Sequence, residues 1–350
     1  MRIVSVVGAR PQFVKLAPVA REFSRRGFDH VVVHTGQHYD AAMSGDFFTD
    51  FRLPAPDINL EVGSGTHGEQ TAAMLAALEP VIHGAAPDWV LVYGDTNSTL
   101  AAALAAVKLA VPVAHLESGL RSFNRLMPEE HNRVLTDHAA DLLLAPTPAA
   151  LDLLGREGLA DRAVLVGDVM TDICLEVARQ VHDTPPDIDL PSDGFMLATL
   201  HRPYNTDDPE RLRLIIAALA TSPVPILLPV HPRLKTKAAT ADVDLTSGAI
   251  VAMPPLNYPG LVYAASRSLS IITDSGGLQK EAYILGVQCT TVRSETEWRE
   301  TLTDGWNVLC FDDLEAIPQI ALRDRPLESR QPFFGEGHAA EKVADSLLSA

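Results

Sequence analysis

The chain has 350 residues, of which 47% are hydrophobic and 21% are charged, so it is long enough for two domains and lacks the composition of a disordered protein. Its formal net charge of −17 argues against a nucleic-acid partner, because a phosphate backbone needs a basic surface. The three cysteines, Cys174, Cys289 and Cys310, lack the paired spacing of a metal site or a disulfide framework, which indicates buried, reduced thiols in a cytoplasmic protein.

The first half of the chain alternates short apolar runs with Ala- and Leu-rich amphipathic segments. The first run is too short for a signal peptide or a membrane span, and a helix is predicted over Val14–Arg25. The predicted strands are Arg2–Val7, His30–Thr35, Trp89–Tyr93, Val111–Leu116 and Leu142–Ala145. Strands separated by helix-length segments predict parallel βαβ units in a doubly wound sheet. Ligands of such sheets bind at the carboxyl ends of the strands.

A segment rich in Pro and Asp, Val181–Gly194, has no periodicity and is typical of a connection between domains. After it the alternation resumes, with strands predicted at Phe195–Leu200, Pro225–Pro229, Ala249–Met253, Leu269–Thr273 and Thr290–Val292 and a last helix near Ala339–Leu348. We therefore predict an α/β protein of two Rossmann-like domains with a cleft between them. The expected limits are residues 1–168, joined by the C-terminal helix at 337–350, and residues 169–336.

The first βα turn, Gly8–Gln12, is followed by Lys15 one turn into the helix. It has neither the GxGxxG pattern of a nicotinamide site nor the Lys-Ser/Thr of an ATP-hydrolysing loop. A glycine, a helix N-terminus and Arg10 still favour an anion site.

Acidic residues follow two neighbouring strands of the first half. Asp95 could be a helix N-cap, but Glu117 holds the equivalent place after the next strand, and capping explains the pair poorly. A third acid is Glu129 or Glu130, which follow Pro128 and could also be an ordinary helix start. Several carboxylates in one half offer separate acids and bases.

The second half carries polar groups after two strands. His201 and its neighbouring arginine follow the first of them and suit a pyrophosphate, although a helix-capping histidine is an alternative. Ser275, Gly276 and Gly277 follow another strand and present bare backbone N–H groups that suit a phosphate. Glu281, one to two turns into that helix, could accept both ribose hydroxyls.

Nine motifs in order along the chain resemble the non-hydrolysing UDP-N-acetylglucosamine 2-epimerase family: GARPQFVK, TGQHYD, GDTNST, HLESGLRS, MPEEHNR, GDVMTD, TLHRPYN, PVHPR and TDSGGLQKEA. The resemblance implies a GT-B architecture, with the nucleotide held mainly by the C-terminal domain, and a homodimer. It implies that the C2 proton and UDP are eliminated to give a 2-acetamidoglucal and then added back with C2 inverted. No cofactor or metal is expected, and no membrane partner.

The resemblance also assigns roles to residues. The catalytic group implied is Asp95, Glu117, Glu129 and His201, the last at the phosphates. The substrate-binding group is Arg10, Lys15, Arg133, Ser275, Gly276, Gly277, Glu281 and Arg293. An allosteric site for the substrate itself would be lined by Gln37, His38, Gln70 and His231.

Some positions depart from the family pattern. Many members have GTRPE where this chain has GARPQ, and HRxEN where it has HRPYN, which places Tyr204 at a position often held by Glu. Trp298 stands where simpler members have an Arg. The GARPQF and SGTHGEQT motifs resemble those of a branch of the family whose substrates include UDP-2,3-diacetamido-glucuronic acid. The substituents at C3 and C6 of the sugar are therefore left open.

Three other functions use part of the same residues. A hydrolysing epimerase would release free N-acetylmannosamine and UDP with the same carboxylates. A GT-B glycosyltransferase would keep the Ser275–Glu281 nucleotide site but has no need of three acids in the N-terminal half. A nucleotide-sugar sensor would have no need of them either.

Overall fold

The computed structural model describes residues 1–37 and 55–350, apart from the side chain of Arg10. The chain divides into two compact units, one formed by Met1–Ile173 with Phe333–Ala350 and the other by Cys174–Pro332. The boundaries predicted from the sequence, after residues 168 and 336, lie a few residues from these. The expected roles of His38 and of the Arg10 side chain lie outside the described residues.

In the described part of the first unit, seven parallel strands form one sheet. They are β1 (Arg2–Val7), β2 (Asp29–His34), β3 (Ile58–Asn59), β4 (Trp89–Tyr93), β5 (Val113–Leu116), β6 (Leu142–Ala145) and β7 (Ala163–Leu165). Their order is β3-β2-β1-β4-β5-β6-β7. The direction of winding reverses between β1 and β4, which places the crevice of a doubly wound sheet at their carboxyl ends.

Helices cover both faces of this sheet. They are α1 (Arg10–Arg26), α2 (His67–Ala85), α3 (Asn97–Lys108), α4 (Pro128–Ala139), α5 (Pro148–Arg156), the first part of α6 (Val169–Asp183) and α13 (Ala339–Ser349). Threonine side chains cap three of them: Thr66, Thr96 and Thr147 each accept a hydrogen bond from a backbone N–H of the first turn. One core cluster packs α2 and α3 against β1 and β4, with Met74 and Leu78 fully buried.

The second unit repeats this plan with six parallel strands. They are β8 (Met196–Thr199), β9 (Ile226–Pro229), β10 (Ile250–Met253), β11 (Ser270–Thr273), β12 (Cys289–Thr291) and β13 (Asn307–Leu309), in the order β10-β9-β8-β11-β12-β13. The winding reverses between β8 and β11. The helices are α7 (Pro203–Thr206), α8 (Pro209–Ala220), α9 (Pro232–Thr240), α10 (Tyr258–Arg267), α11 (Gly276–Leu285) and α12 (Ile317–Ala321). Two hydrophobic clusters lie within this unit.

Each of the ten strands predicted from the sequence is confirmed, with ends shifted by at most two residues. Three short strands were missed, β3, β7 and β13, because runs of two or three residues carry too little periodicity to detect. The predicted connection begins too early: α6 continues to Asp183 and ends just before Pro185 and Pro186, which cannot continue a helix. The cysteines are buried and free, as expected. No helix of the described residues is long and apolar enough to cross a membrane.

Candidate active site

The β1–α1 and β4–α3 turns of the first unit are joined by one buried amide. The Gln12 side-chain oxygen accepts from the N–H groups of Gly8 and Ala9 at 2.8 and 3.0 Å. Its Nε2 donates to the Tyr93 carbonyl at 2.7 Å and to the Thr99 hydroxyl at 3.0 Å. Gln12 therefore holds the β1–α1 and β4–α3 turns together by hydrogen bonds. The donated bonds require an amide, which gives a local reason for Gln where the family often has Glu.

Lys15 and Glu117 form a partly buried ion pair over Gly94. A methyl group added at Gly94 would lie 3.1 Å from both the Lys15 Nζ and a Glu117 carboxylate oxygen. Burial alone would lower the pKa of Lys15, but the carboxylates of Glu117 and Asp95 raise it above its usual value. Lys15 is therefore a fixed cation beside two of the predicted catalytic acids.

The backbone at Glu117 is held in an uncommon conformation. Its φ is +72°, in the left-handed region that side chains other than glycine rarely adopt. Its N–H donates to the Leu144 carbonyl at 3.1 Å, one strand away. Such strain persists where the surrounding structure fixes it, and it concentrates at functional sites.

Asp95 forms an ion pair with Arg133, a residue of α4. The Arg133 guanidinium lies 2.5 Å from the Asp95 carboxylate and 3.1 Å from that of Glu130. Burial would lower the pKa of Arg133, but the two carboxylates, Asp95 first, raise it. Lys15, Asp95, Glu117 and Arg133 thus form one cluster of alternating charge, which we call the carboxylate cluster.

The two candidate acids at the start of α4 differ in environment. Glu130 is buried and accepts from the Ser122 N–H and hydroxyl, both at 2.8 Å, and from the Phe123 N–H at 2.9 Å. Burial would raise its pKa, but these bonds and Arg133 lower it. Glu129 is half-buried, and no hydrogen bond or ion pair joins its side chain to another described residue. Glu130 therefore braces the 122–127 loop, and Glu129 is the acid left available.

Two of the residues expected at an allosteric site lie beside the start of α3. The Gln37 side-chain oxygen accepts from the Ser98 hydroxyl at 2.7 Å, and that of Gln70 accepts from the Asn97 amide at 2.9 Å. The Asn132 amide donates to Asn97 at 3.2 Å and to the backbone carbonyl of Asp95 at 2.9 Å. Gln70 is thus linked by hydrogen bonds to the backbone of a predicted catalytic residue.

Sequence reasoning missed a buried group beneath the carboxylate cluster. His115 pairs with Asp137 at 2.6 Å, and Arg121 pairs with the second oxygen of Asp137 at 2.7 Å. A signal was present, because Glu130, Arg133 and Asp137 lie at spacings of three and four residues on one face of α4.

In the second unit, the carboxyl ends of β8 and β11 are joined by Asp274, whose side chain is fully buried. It accepts from the N–H of His201 at 3.0 Å, from the N–H of Arg202 at 2.9 Å and from the Asn205 amide at 3.1 Å. The His201 ring nitrogen Nδ1 lies 3.1 Å from the same carboxylate. Burial would raise the pKa of Asp274, but these bonds hold it below its usual value.

The start of α11 is the position at which the sequence predicts an anion site. The Ser275 hydroxyl caps the helix by accepting from the Leu278 N–H at 3.3 Å. A carboxylate occupies the neighbouring space: a methyl group at Gly276 would overlap the Glu297 side chain. Glu297 forms an ion pair of 2.9 Å with Arg293, so this anion-favouring helix end holds a side-chain anion of its own chain.

Glu281, predicted to hold a ribose, is 6% exposed on α11. It lies close to Tyr258, whose pKa is raised by burial and then by the Glu281 carboxylate. Trp298, at the family's Arg position, is also buried, and the Lys280 ammonium lies 4.1 Å from its ring centre. A cation–π contact therefore supplies positive charge near that position.

His231 belongs to the second unit, whereas Gln37 and Gln70 belong to the first. Its ring caps α9, accepting from the Arg233 N–H at 3.2 Å, and its ring centre is 5.9 Å from that of His201. Burial, with His201 and Arg233 nearby, lowers its pKa. Within residues 1–37 and 55–350, no group of three or more His, Cys, Asp or Glu side chains is arranged to hold a metal ion.

The chain matches a known protein family over most of its length. A family model described as UDP-N-acetylglucosamine 2-epimerase matches residues 21–348. The chain belongs to this family. It is 43% identical over 355 residues to a UDP-N-acetylglucosamine 2-epimerase homolog of Methanococcus maripaludis, and 44% identical over 357 residues to the UDP-2,3-diacetamido-2,3-dideoxy-D-glucuronate 2-epimerase of Pseudomonas aeruginosa. Each alignment covers 99% of both chains.

A solved structure of this family is similar to the chain over its whole length. The UDP-GlcNAc 2-epimerase of Methanocaldococcus jannaschii, solved in complex with UDP-GlcNAc and UDP, is 37% identical and covers 100% of both chains at a TM-score of 0.83. The predicted family, the GT-B-type fold of two parallel-sheet domains and the class of enzyme, an isomerase acting on a nucleotide sugar at C2, are confirmed.

Proposed function

We propose that the protein interconverts the two C2 epimers of a UDP-linked 2-acetamido sugar by eliminating UDP and adding it back. The observation that carries this proposal is the carboxylate cluster, in which two acids from neighbouring strand ends are held by Lys15 and Arg133. A glycosyltransferase or a sensor needs no such pair. The relatives named above include a UDP-N-acetylglucosamine 2-epimerase homolog and an epimerase of the diacetamido sugar.

The reaction needs a base and an acid at C2. One carboxylate removes the C2 proton, the C1–O bond breaks, and its electron pair leaves with the β-phosphate oxygen of UDP. A C1–C2 double bond forms, giving the 2-acetamidoglucal. UDP then attacks C1 while an acid delivers a proton to the opposite face of C2. General-base help of this kind contributes roughly 10²–10⁴-fold to the rate.

The roles proposed for the first unit follow from the partners of each side chain. Glu117 and Asp95 act as the proton-transfer pair, and Lys15 and Arg133 hold their side chains in place. Glu129 is the third acid. Arg10 is proposed to hold the diphosphate.

The second unit is proposed to bind UDP. Ser275, Gly276 and Gly277 would hold the diphosphate at the start of α11, with His201 and Arg293 at the phosphates. Glu281 would bind the ribose. Groups that stabilise the negative charge developing on UDP as the C1–O bond breaks make UDP a better leaving group.

Several further features belong to the same proposal. The enzyme is proposed to act as a cytoplasmic homodimer without a cofactor, and Gln37 and Gln70 are proposed to belong to a second site for the substrate. The substrate is UDP-GlcNAc or an analogue substituted at C3 or C6, which a panel of such nucleotide sugars would identify by turnover.

The deciding experiment is isotope exchange. Incubation with UDP-GlcNAc or its analogues in D₂O should place deuterium at C2 of the recovered nucleotide sugar, as measured by NMR. Free N-acetylmannosamine as the product would instead support a hydrolysing epimerase. Absence of exchange with every UDP-linked 2-acetamido sugar tested would refute the elimination mechanism.

We expect Glu297→Gln to strengthen UDP binding by about two- to fivefold, because the substitution removes an anion from the helix end where the diphosphate would bind and frees Arg293. Calorimetric titration with UDP measures the effect. Glu295→Gln, a change of the same kind at an exposed neighbour, should leave the affinity unchanged. Equal affinities in the Glu297 variant and the wild type would show that Glu297 does not compete for the anion site.

A further inference from the structure

The side chains of His115, on β5, and Asp137, on α4, are completely buried and form a hydrogen-bonded chain under the carboxylate cluster. The His115 Nε2 lies 2.7 Å from the Gly94 carbonyl, and its Nδ1 lies 2.6 Å from Asp137. A carbonyl can only accept, so Nε2 carries a hydrogen. The imidazole therefore connects the β4–α3 turn to α4.

The second Asp137 oxygen extends the chain to the next turn. It accepts from the Gly119 N–H at 3.0 Å and pairs with Arg121 at 2.7 Å. Burial would raise the pKa of Asp137, but His115 and Arg121 hold it below its usual value, so the group is a carboxylate at neutral pH. Arg121 is in turn held by Glu157 through bonds of 2.8 and 2.7 Å.

The hydrogen bonds of His115 and Asp137 end on the backbone of Gly94 and Gly119, which lie next to the two acids in the chain. Gly94 directly precedes Asp95, and Gly119 follows Glu117 by two residues. Gly94 and Gly119 have φ values of +62° and +82°, which glycine adopts readily. Glu117 has a φ of +72°, a conformation that a side chain other than glycine keeps only where the surrounding structure fixes it. The hydrogen bonds of His115 and Asp137 provide contacts that fix both turns.

We propose that His115 and Asp137 are positioning residues for the epimerisation, which hold the Gly94 and Gly119 turns so that Asp95 and Glu117 keep the spacing needed for proton transfer at C2. This inference rests on the proposed function, in which Asp95 and Glu117 transfer the proton. Neither His115 nor Asp137 contacts the substrate in this scheme.

The test separates positioning from binding and from stability. In Asp137→Asn, we expect kcat and the rate of C2 deuterium exchange to fall about 10- to 100-fold, since small misplacements of reacting groups have effects of that size. KM and the Kd for UDP should stay within about twofold, because a group that acts only on the transition state changes kcat alone. His115→Asn, whose short side chain cannot reach the Gly94 carbonyl, should give the same pattern.

Asp141→Asn is the matched control, because Asp141 also anchors β5, accepting from the Val113 N–H at 2.9 Å, but at the opposite end of the strand. It should keep the wild-type kcat. A wild-type kcat in Asp137→Asn, or equal losses in kcat and UDP affinity in both variants, would overturn the proposal.

A second measurement is made on the wild-type protein and does not depend on whether a variant folds. In the wild-type protein labelled with ¹⁵N-histidine, one buried ring should show a slowly exchanging hydrogen on Nε2, as expected for a donor to the Gly94 carbonyl. The absence of such a ring would refute the hydrogen-bonded chain. If the wild type shows no C2 exchange with any UDP sugar, the proposed function fails; if it exchanges and the variants exchange equally, only this inference fails.

Discussion

Replacing Glu117 with Gln is expected to lower the rate of C2 deuterium exchange by about 10²–10⁴-fold, the range of general acid–base catalysis. The amide is close in size to the carboxylate, so Lys15 can still donate to its oxygen, but it can neither take nor return the C2 proton. UDP affinity should be kept, since the groups proposed to bind UDP are mainly in the second unit. Exchange by NMR and UDP titration measure the two effects.

The control for this variant is Glu79→Gln, a change of the same kind at an exposed position of α2 in the same unit. It should exchange at the wild-type rate. Exchange by the Glu117 variant at that rate would remove Glu117 from the catalytic pair, and Asp95→Asn would then show whether the other carboxylate acts alone.

Replacing Asp274 with Asn is expected to lower the free energy of unfolding of the second unit by about 2–4 kcal/mol and to weaken UDP binding. The buried carboxylate accepts from two backbone N–H groups and the Asn205 amide. An amide has one acceptor oxygen, so its NH₂ group would face a donor. The turn that presents His201 would then lose its anchor. Chemical denaturation and UDP titration check both effects.

The matched control is Asp208→Asn. Asp208 also accepts backbone N–H bonds, from Glu210 at 3.0 Å, but at the exposed start of α8, where Asn is an equally good cap. Its unfolding free energy should therefore match that of the wild type. Equal stability of the Asp274 variant and the wild type would contradict the role assigned to that carboxylate.

The stability difference produced by Asp274→Asn should depend on pH. The folded pKa of Asp274 is below its unfolded value, so the unfolded chain binds more protons in the acid range. The stabilisation by the carboxylate is complete above the unfolded pKa, about 4. It is lost as the pH falls through the lower folded pKa. Denaturation of both proteins at neutral and acid pH should show the difference shrinking below about pH 4, and a constant difference would contradict this mechanism.

The sequence by itself determined the two doubly wound sheets and the position of the reactive groups along the chain. Both follow from local patterns: strand and helix periodicity repeats within a few residues, and the carboxyl ends of parallel strands meet at one edge of a sheet. Asp95, Glu117, His201 and Ser275 could therefore be placed after strands before any contact was known.

The tertiary structure decided which side chains meet. The residue pattern left Glu129 and Glu130 equivalent, and only the family resemblance implied Glu129. Packing of the 122–127 loop buries Glu130 and leaves Glu129 available. No local pattern indicates that Gln12 joins two turns, and the position of Asp137 on one face of α4 does not show that it accepts from Gly119. Gln12 and Tyr93 are 81 residues apart, and Lys15 and Glu117 are 102 apart. Contacts over such distances depend on how helices pack on the sheet, which no local pattern of residues encodes.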